Sequence, residues 1–104
     1  MKVYDPKTEI ALSGLEEFFE SFMQSRLHEL DLLNLALDTL DYSTVLRLAH
    51  QWRGFSVPYG FGKLESFAIQ LESGAHAQNS EQCRVILGEI THYLQHKKSS
   101  SGQL

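Results

Sequence analysis

Apolar residues recur at spacings of three and four along most of this chain, and that rhythm predicts helices. Leu15, Phe18, Phe19, Phe22, Met23, Leu27, Leu30, Leu33, Leu37 and Leu40 form one stripe of an amphipathic helix from Leu15 to Leu40. Ser13 followed by Glu16 reads as a capping box at its start. A helix of that length extends roughly 39 Å. Asp41 is a good N-cap for a second helix that runs through Arg53. It should stop before Pro58, because the residue preceding a proline avoids the α region. The loop is then Val57-Pro58-Tyr59-Gly60. A third helix is expected from Phe61 to Ser73, with Leu64, Phe67, Ala68 and Leu71 inward and Gly74 closing it in the left-handed conformation. A fourth begins near Asn79 or Ser80 and carries Cys83, Ile86, Leu87, Ile90, Tyr93 and Leu94 on one stripe. Lys97 and Lys98 fall at its C-terminal end, where the helix dipole favours cations.

No segment shows the alternation of a strand. The expected fold is therefore all-α: an antiparallel up-down four-helix bundle, with a short extra N-terminal helix across one end from residues 1–12. Trp52 shares a face with Leu48 and is expected in the core, as are Phe18, Phe19, Phe22 and Phe67.

Composition narrows the picture. The 104 residues make one domain, assigned to 1–98, followed by a tail at 99–104 that opens on Ser99-Ser100-Ser101-Gly102. A chain of this size buries roughly 65% of its unfolded surface, enough for one core. The net charge of −4 argues against nucleic acid and against an anionic membrane surface as partners. Cys83 is the one cysteine, so no intrachain disulfide forms, and its place on an apolar stripe suggests a buried, inert thiol. No apolar run approaches the ~20 residues of a membrane span, and the first residues lack a secretory h-region. The chain is expected to be cytoplasmic and monomeric.

Candidate chemistry sits on the second helix. On a helical wheel Val45, Leu48, Trp52 and Phe55 cluster on one side, and His50 lies roughly opposite. Ser43, Arg47, Arg53 and Gly54 flank His50. A neutral imidazole is a nucleophile near pH 7. If it accepts a phosphoryl group it gains up to about two negative charges, which Arg53 and Arg47 are placed to offset. Gly54 removes a side chain beside the imidazole. The plain alternative is a surface histidine among solvated charges.

The same residues carry a family resemblance. His50-Gln51-Trp52-Arg53-Gly54, then Gly60, then Leu64, resembles the signature of histidine-containing phosphotransfer domains. That signature reads His, two residues, Lys-Gly, a small-residue stretch, Gly, and Leu four residues later. Phe22 to Leu30, Leu33, Ala36-Leu37 and Asp41 resemble the long helix that precedes the active one, and Leu71-Glu72 resembles the pair that closes the third. The match covers about residues 15–95. It implies a four-helix bundle that carries a phosphoryl group on an exposed histidine between aspartates of response-regulator receiver domains and hybrid sensor kinases. His50 is then the phosphorylated residue through Nε2, Arg53 stands where the family usually has Lys, and Gly54 is the family glycine. Mg²⁺ belongs to the receiver partner, and this chain takes no cofactor or metal. Leu46, Arg47, Gln51 and Lys63 are expected to touch the partner. Leu46 reads equally as a boundary core residue, and Arg47 and Lys63 as solvated charges. Gly60 and Leu64 complete the structural motif.

Two features depart from the pattern. Phe55 replaces the small residue after the glycine, and Pro58 and Tyr59 make the loop less typical. Phe55 either fills the bundle or leans over His50 and hinders a partner. The latter case favours a helical interaction module that binds a receiver or another signalling protein without taking phosphate. A third reading uses Glu89, His92 and His96 as a metal site, but a bundle di-metal centre needs two such motifs and further glutamates. There is no phosphate-binding Gly-rich loop, so no ATP site and no independent enzyme is expected.

Overall fold

The computed structural model describes residues 6–101, with side-chain environments for 7–100. Four helices make up most of it: α1 (Phe19–Asp38), α2 (Tyr42–Phe55), α3 (Gly62–His76) and α4 (Ser80–Ser101). Short 3-10 turns at Pro6–Glu9 and Glu16–Phe18 precede α1. There is no strand among the described residues. α1 borders α2 and α4, α3 borders the same two, and the diagonal pairs stay apart. Asp38 at the end of α1 pairs with Arg84 near the start of α4, at 2.6 Å. Tyr42 at the start of α2 donates to the Gln78 carbonyl just past α3. Neighbours are therefore antiparallel, as the short connections require. The expected four-helix bundle is the observed fold.

The core follows the apolar stripes. Phe22, Met23, Leu30, Leu33 and Leu37 of α1 meet Val45, Leu48 and Trp52 of α2, Leu64, Phe67, Ala68 and Leu71 of α3, and Cys83, Ile86, Leu87, Ile90 and Leu94 of α4. Burial pushes the Cys83 thiol pKa up. Trp52 is enclosed, and its indole N–H donates to Glu29 at 2.7 Å, which satisfies its one polar atom. No described helix is long and apolar enough to cross a membrane.

Several boundaries differ from the sequence reading, each for a local reason. α1 does not start at Leu15: Gly14 takes φ 92°, and Glu16–Phe18 forms a 3-10 turn. The amide of Leu12 donates to the Pro58 carbonyl at 2.9 Å, which ties this entry segment to the loop after α2. The Ser13–Glu16 capping box is absent, because Leu15 and Phe18 occupy the N-cap positions without side-chain bonds. Phe18 is 44% exposed and is not core, while Phe19 packs at its edge. Gly74 does not end α3. It is buried inside the helix, where an added Cβ would lie 3.0 Å from the Cys83 sulfur. The left-handed residue is Gln78, at φ 51°. α4 continues past Lys98 to Ser101, and the Asn79 side chain accepts from the Gln82 amide near its start. In place of the extra N-terminal helix stands the turn at Pro6–Glu9, which packs on α3. Residues 1–5 of that expected helix and 102–104 of the expected tail lie outside the described residues.

Candidate functional site

α2 is launched by Asp41. Its carboxylate accepts from the Thr44 amide at 3.2 Å, the Thr44 hydroxyl at 2.6 Å and the Ser43 hydroxyl at 2.9 Å. These bonds, with a smaller pull from Arg47, hold the Asp41 pKa below the ordinary carboxylate range. The cap satisfies a first-turn amide, and burial of the apolar stripe sets how α2 is turned. Val45, Leu48, Ala49 and Trp52 then face the core, and Arg47, His50, Gln51 and Gly54 form an exposed stripe at i, i+3, i+4 and i+7.

The His50 side chain is 76% exposed. Its Nδ1 lies 3.7 Å from Glu72 Oε2 on α3, beyond hydrogen-bonding distance. The other Glu72 oxygen accepts from Arg53 Nη1 at 2.8 Å. Glu72 is largely covered and Arg53 about half exposed, so one carboxylate holds the base of a small His–Glu–Arg cluster. Nε2 of His50 has no partner among the described residues. At Gly54 an added Cβ would meet nothing within 4 Å, so the glycine keeps open space one turn beyond the imidazole.

Phe55 does not lean over His50. Its ring meets Phe22 edge-on at 5.8 Å and the Arg26 guanidinium at 4.6 Å, both on α1, whereas His50 stands beside α3. Tyr59 likewise stacks on Phe22, with centroids 4.7 Å apart. Phe55 and Tyr59 thus fill the seam that α1 makes with the end of α2 and its following loop.

Of the other expected residues, Arg53, Gly54, Arg47 and Gln51 share the exposed surface around His50. Leu46 is half-buried against the core and sits at its margin. Lys63 is not brought to this cluster. It lies nine residues before Glu72 on α3, about 180° away around the helix, with its ammonium over the Phe67 ring. Gly60 and Leu64 are structural: Leu64 is fully buried, and Gly60 has φ +87° with the Ala11 backbone nitrogen 2.6 Å from where a Cβ would stand. Among the described residues no three His, Cys, Asp or Glu side chains gather as a metal site needs.

Glu72 is the member that local sequence spacing does not place beside the histidine. Its partners are 19 and 22 residues earlier in the chain (72 − 53 and 72 − 50), on a different helix. The Leu71-Glu72 pair marks its position on the third helix, but only the packing of α3 on α2 brings it to His50. Comparison with family models, with curated proteins and with solved structures finds no match.

Proposed function

We propose that this chain is a phosphoryl carrier, in which His50 takes the group from an aspartyl phosphate of a receiver domain and passes it to another receiver aspartate. The observation that carries the reading is the His50 imidazole: outward on the bundle, backed at Nδ1 by Glu72, and bordered by the open space at Gly54. The Nε2 lone pair attacks phosphorus in line. The bond between phosphorus and the aspartyl oxygen breaks, and the aspartate leaves as carboxylate with the electron pair. Nδ1 keeps its proton, so the product is a phosphoimidazolium whose positive ring charge Glu72 offsets. Return to a second aspartate reverses these steps. Positioning supplies most of what this chain contributes, and Mg²⁺ belongs to the receiver, as the resemblance implies. The chain has no nucleotide site in this reading and works in the cytoplasm with receiver domains and hybrid sensor kinases.

Arg47, Gln51 and Gly54 form the surface that meets the receiver, with Leu46 at its edge. Arg53 has guanidinium donors beyond the one held by Glu72 and complements an acidic receiver pocket. The test is transfer from a panel of phosphorylated receivers to wild type and His50→Gln. Acid-labile, alkali-stable label on wild type alone is expected. Label on His50→Gln overturns the assignment of the residue. Receiver binding that is indifferent to His50→Gln, with no label on wild type across the panel, favours the interaction module instead.

A further inference from the structure

A groove of roughly 300 Å³ runs along the seam between the first half of α1 and the loop after α2, bordered by Phe18, Phe22, Phe55, Tyr59 and Arg26. Arg26 is the unusual member. The residue is only 6% exposed, and its two Nη atoms make no hydrogen bond to any described residue. Nε lies 2.8 Å from Glu29 Oε1, as an ion pair outside hydrogen-bond alignment. The guanidinium carbon is 4.4 Å from the Phe22 centroid and 4.6 Å from that of Phe55, so the planar cation is held between two rings. Burial pulls the Arg26 pKa down, and the Glu29 carboxylate opposes that. Glu29 is also engaged by the Trp52 indole.

Nε already has the Glu29 carboxylate beside it, whereas the Nη donors have no acceptor among the described residues and Arg26 lines the groove. A guanidinium offers a planar fork that matches a carboxylate. The surrounding walls are aromatic: Phe18 meets Tyr59 edge-on at 6.4 Å, and Tyr59 stacks on Phe22. We propose that this groove binds a small organic acid, a carboxylate carried on a flat aromatic body. The carboxylate takes the Arg26 donors and the ring adds to the Phe18–Tyr59–Phe22 cluster. The site is separate from the His–Glu–Arg cluster and does not depend on phosphoryl transfer.

The experiment uses the full chain and amide NMR titrations with three probes: phenylacetate, 2-phenylethanol, which has the ring without the charge, and acetate, which has the charge without the ring. Phenylacetate should give saturable shifts at Phe18 to Arg26 and at Phe55 to Tyr59. It should bind about tenfold more tightly than either control, the scale of a charge-assisted hydrogen bond added to ring burial. Arg26→Lys keeps a cation for Glu29 but loses the fork, and should cost most of that tenfold preference. Ser25→Phe at the exposed rim should block the groove while leaving the melting temperature near that of wild type. No saturable shift with phenylacetate overturns the proposal. So does equal binding of phenylacetate and 2-phenylethanol, or a preference unchanged in Arg26→Lys.

Discussion

Two carboxylates near opposite ends of α3 behave differently. Glu9, in the turn before α1, is saturated. It accepts from the Lys63 amide at 2.7 Å, the Tyr93 hydroxyl at 2.7 Å and Lys97 Nζ at 2.8 Å. Lys97 also reaches the Glu9 and Gly60 carbonyls. Together the Glu9 and Lys97 side chains join the N-terminal segment, the start of α3, the loop after α2 and the far half of α4. Glu72 instead holds one arginine firmly and stands at 3.7 Å from a histidine that is mostly in solvent. A carboxylate whose partners are all internal fastens the fold. One that leaves a neighbouring group exposed and incompletely bonded can act on what that group does.

Mutation separates the two roles. The largest loss of stability is expected from Glu9→Gln, at about 2 kcal/mol, because a charge-assisted node with a mostly covered acceptor is broken. Burial pushes the Glu9 pKa up, but the hydrogen bonds from Lys97, Tyr93 and the Lys63 amide outweigh it, so the folded-state value lies below the ordinary one. The sign follows: this stabilisation is complete above the unfolded glutamate pKa and is lost as pH falls through the lower folded value. Urea melts of wild type between neutral and acid pH should converge on those of Glu9→Gln at the acid end. A constant gap across the range would place the effect in packing and not in charge.

Glu72→Gln should act on chemistry. Phosphoryl uptake is expected to slow about tenfold, equivalent to about 1.4 kcal/mol in the barrier. Stability should change by less than about 1 kcal/mol, since Arg53 is half exposed. Rapid-quench kinetics and thermal melts on the same sample measure both. A large stability loss with unchanged transfer would make Glu72 a second Glu9.

The smallest effect concerns the surface beside the imidazole. Gly54→Ala should stabilise the chain by about 0.5–1 kcal/mol, because the helix gains propensity and the new methyl meets no neighbour. Gly54→Leu should weaken transfer by crowding the docking face while leaving the melting temperature near that of wild type.

Much of this was legible in the sequence. The stripes of three and four placed all four helices, and the Asp41 cap, the stop before Pro58 and the buried Trp52 followed from local rules. His50 was legible as exposed because the apolar face of α2 is narrow and unambiguous. What was not legible depends on distant partners. Gly74 carries the usual sign of a helix end, yet it is there because Cys83 of α4 leaves little room for a side chain. Lys97 looked like a cation for the helix dipole, but it spans to Glu9, 88 residues earlier. Phe18 fits the apolar stripe of α1, but the entry segment is a 3-10 turn, and that shift leaves its ring at the groove rim. Glu72 and Lys63 share one helix, and only the packing of that helix on α2 and α4 decides which of them reaches His50.

The central claim concerns one nitrogen atom. Side-chain ¹⁵N NMR of His50, before and after incubation with a phosphorylated receiver, observes it directly. The neutral ring should carry its proton on Nδ1, beside Glu72, and the phosphoryl group should appear on Nε2. A ring that carries its proton on Nε2, a phosphoryl group on Nδ1, or an unchanged His50 across a panel of receivers would contradict the account.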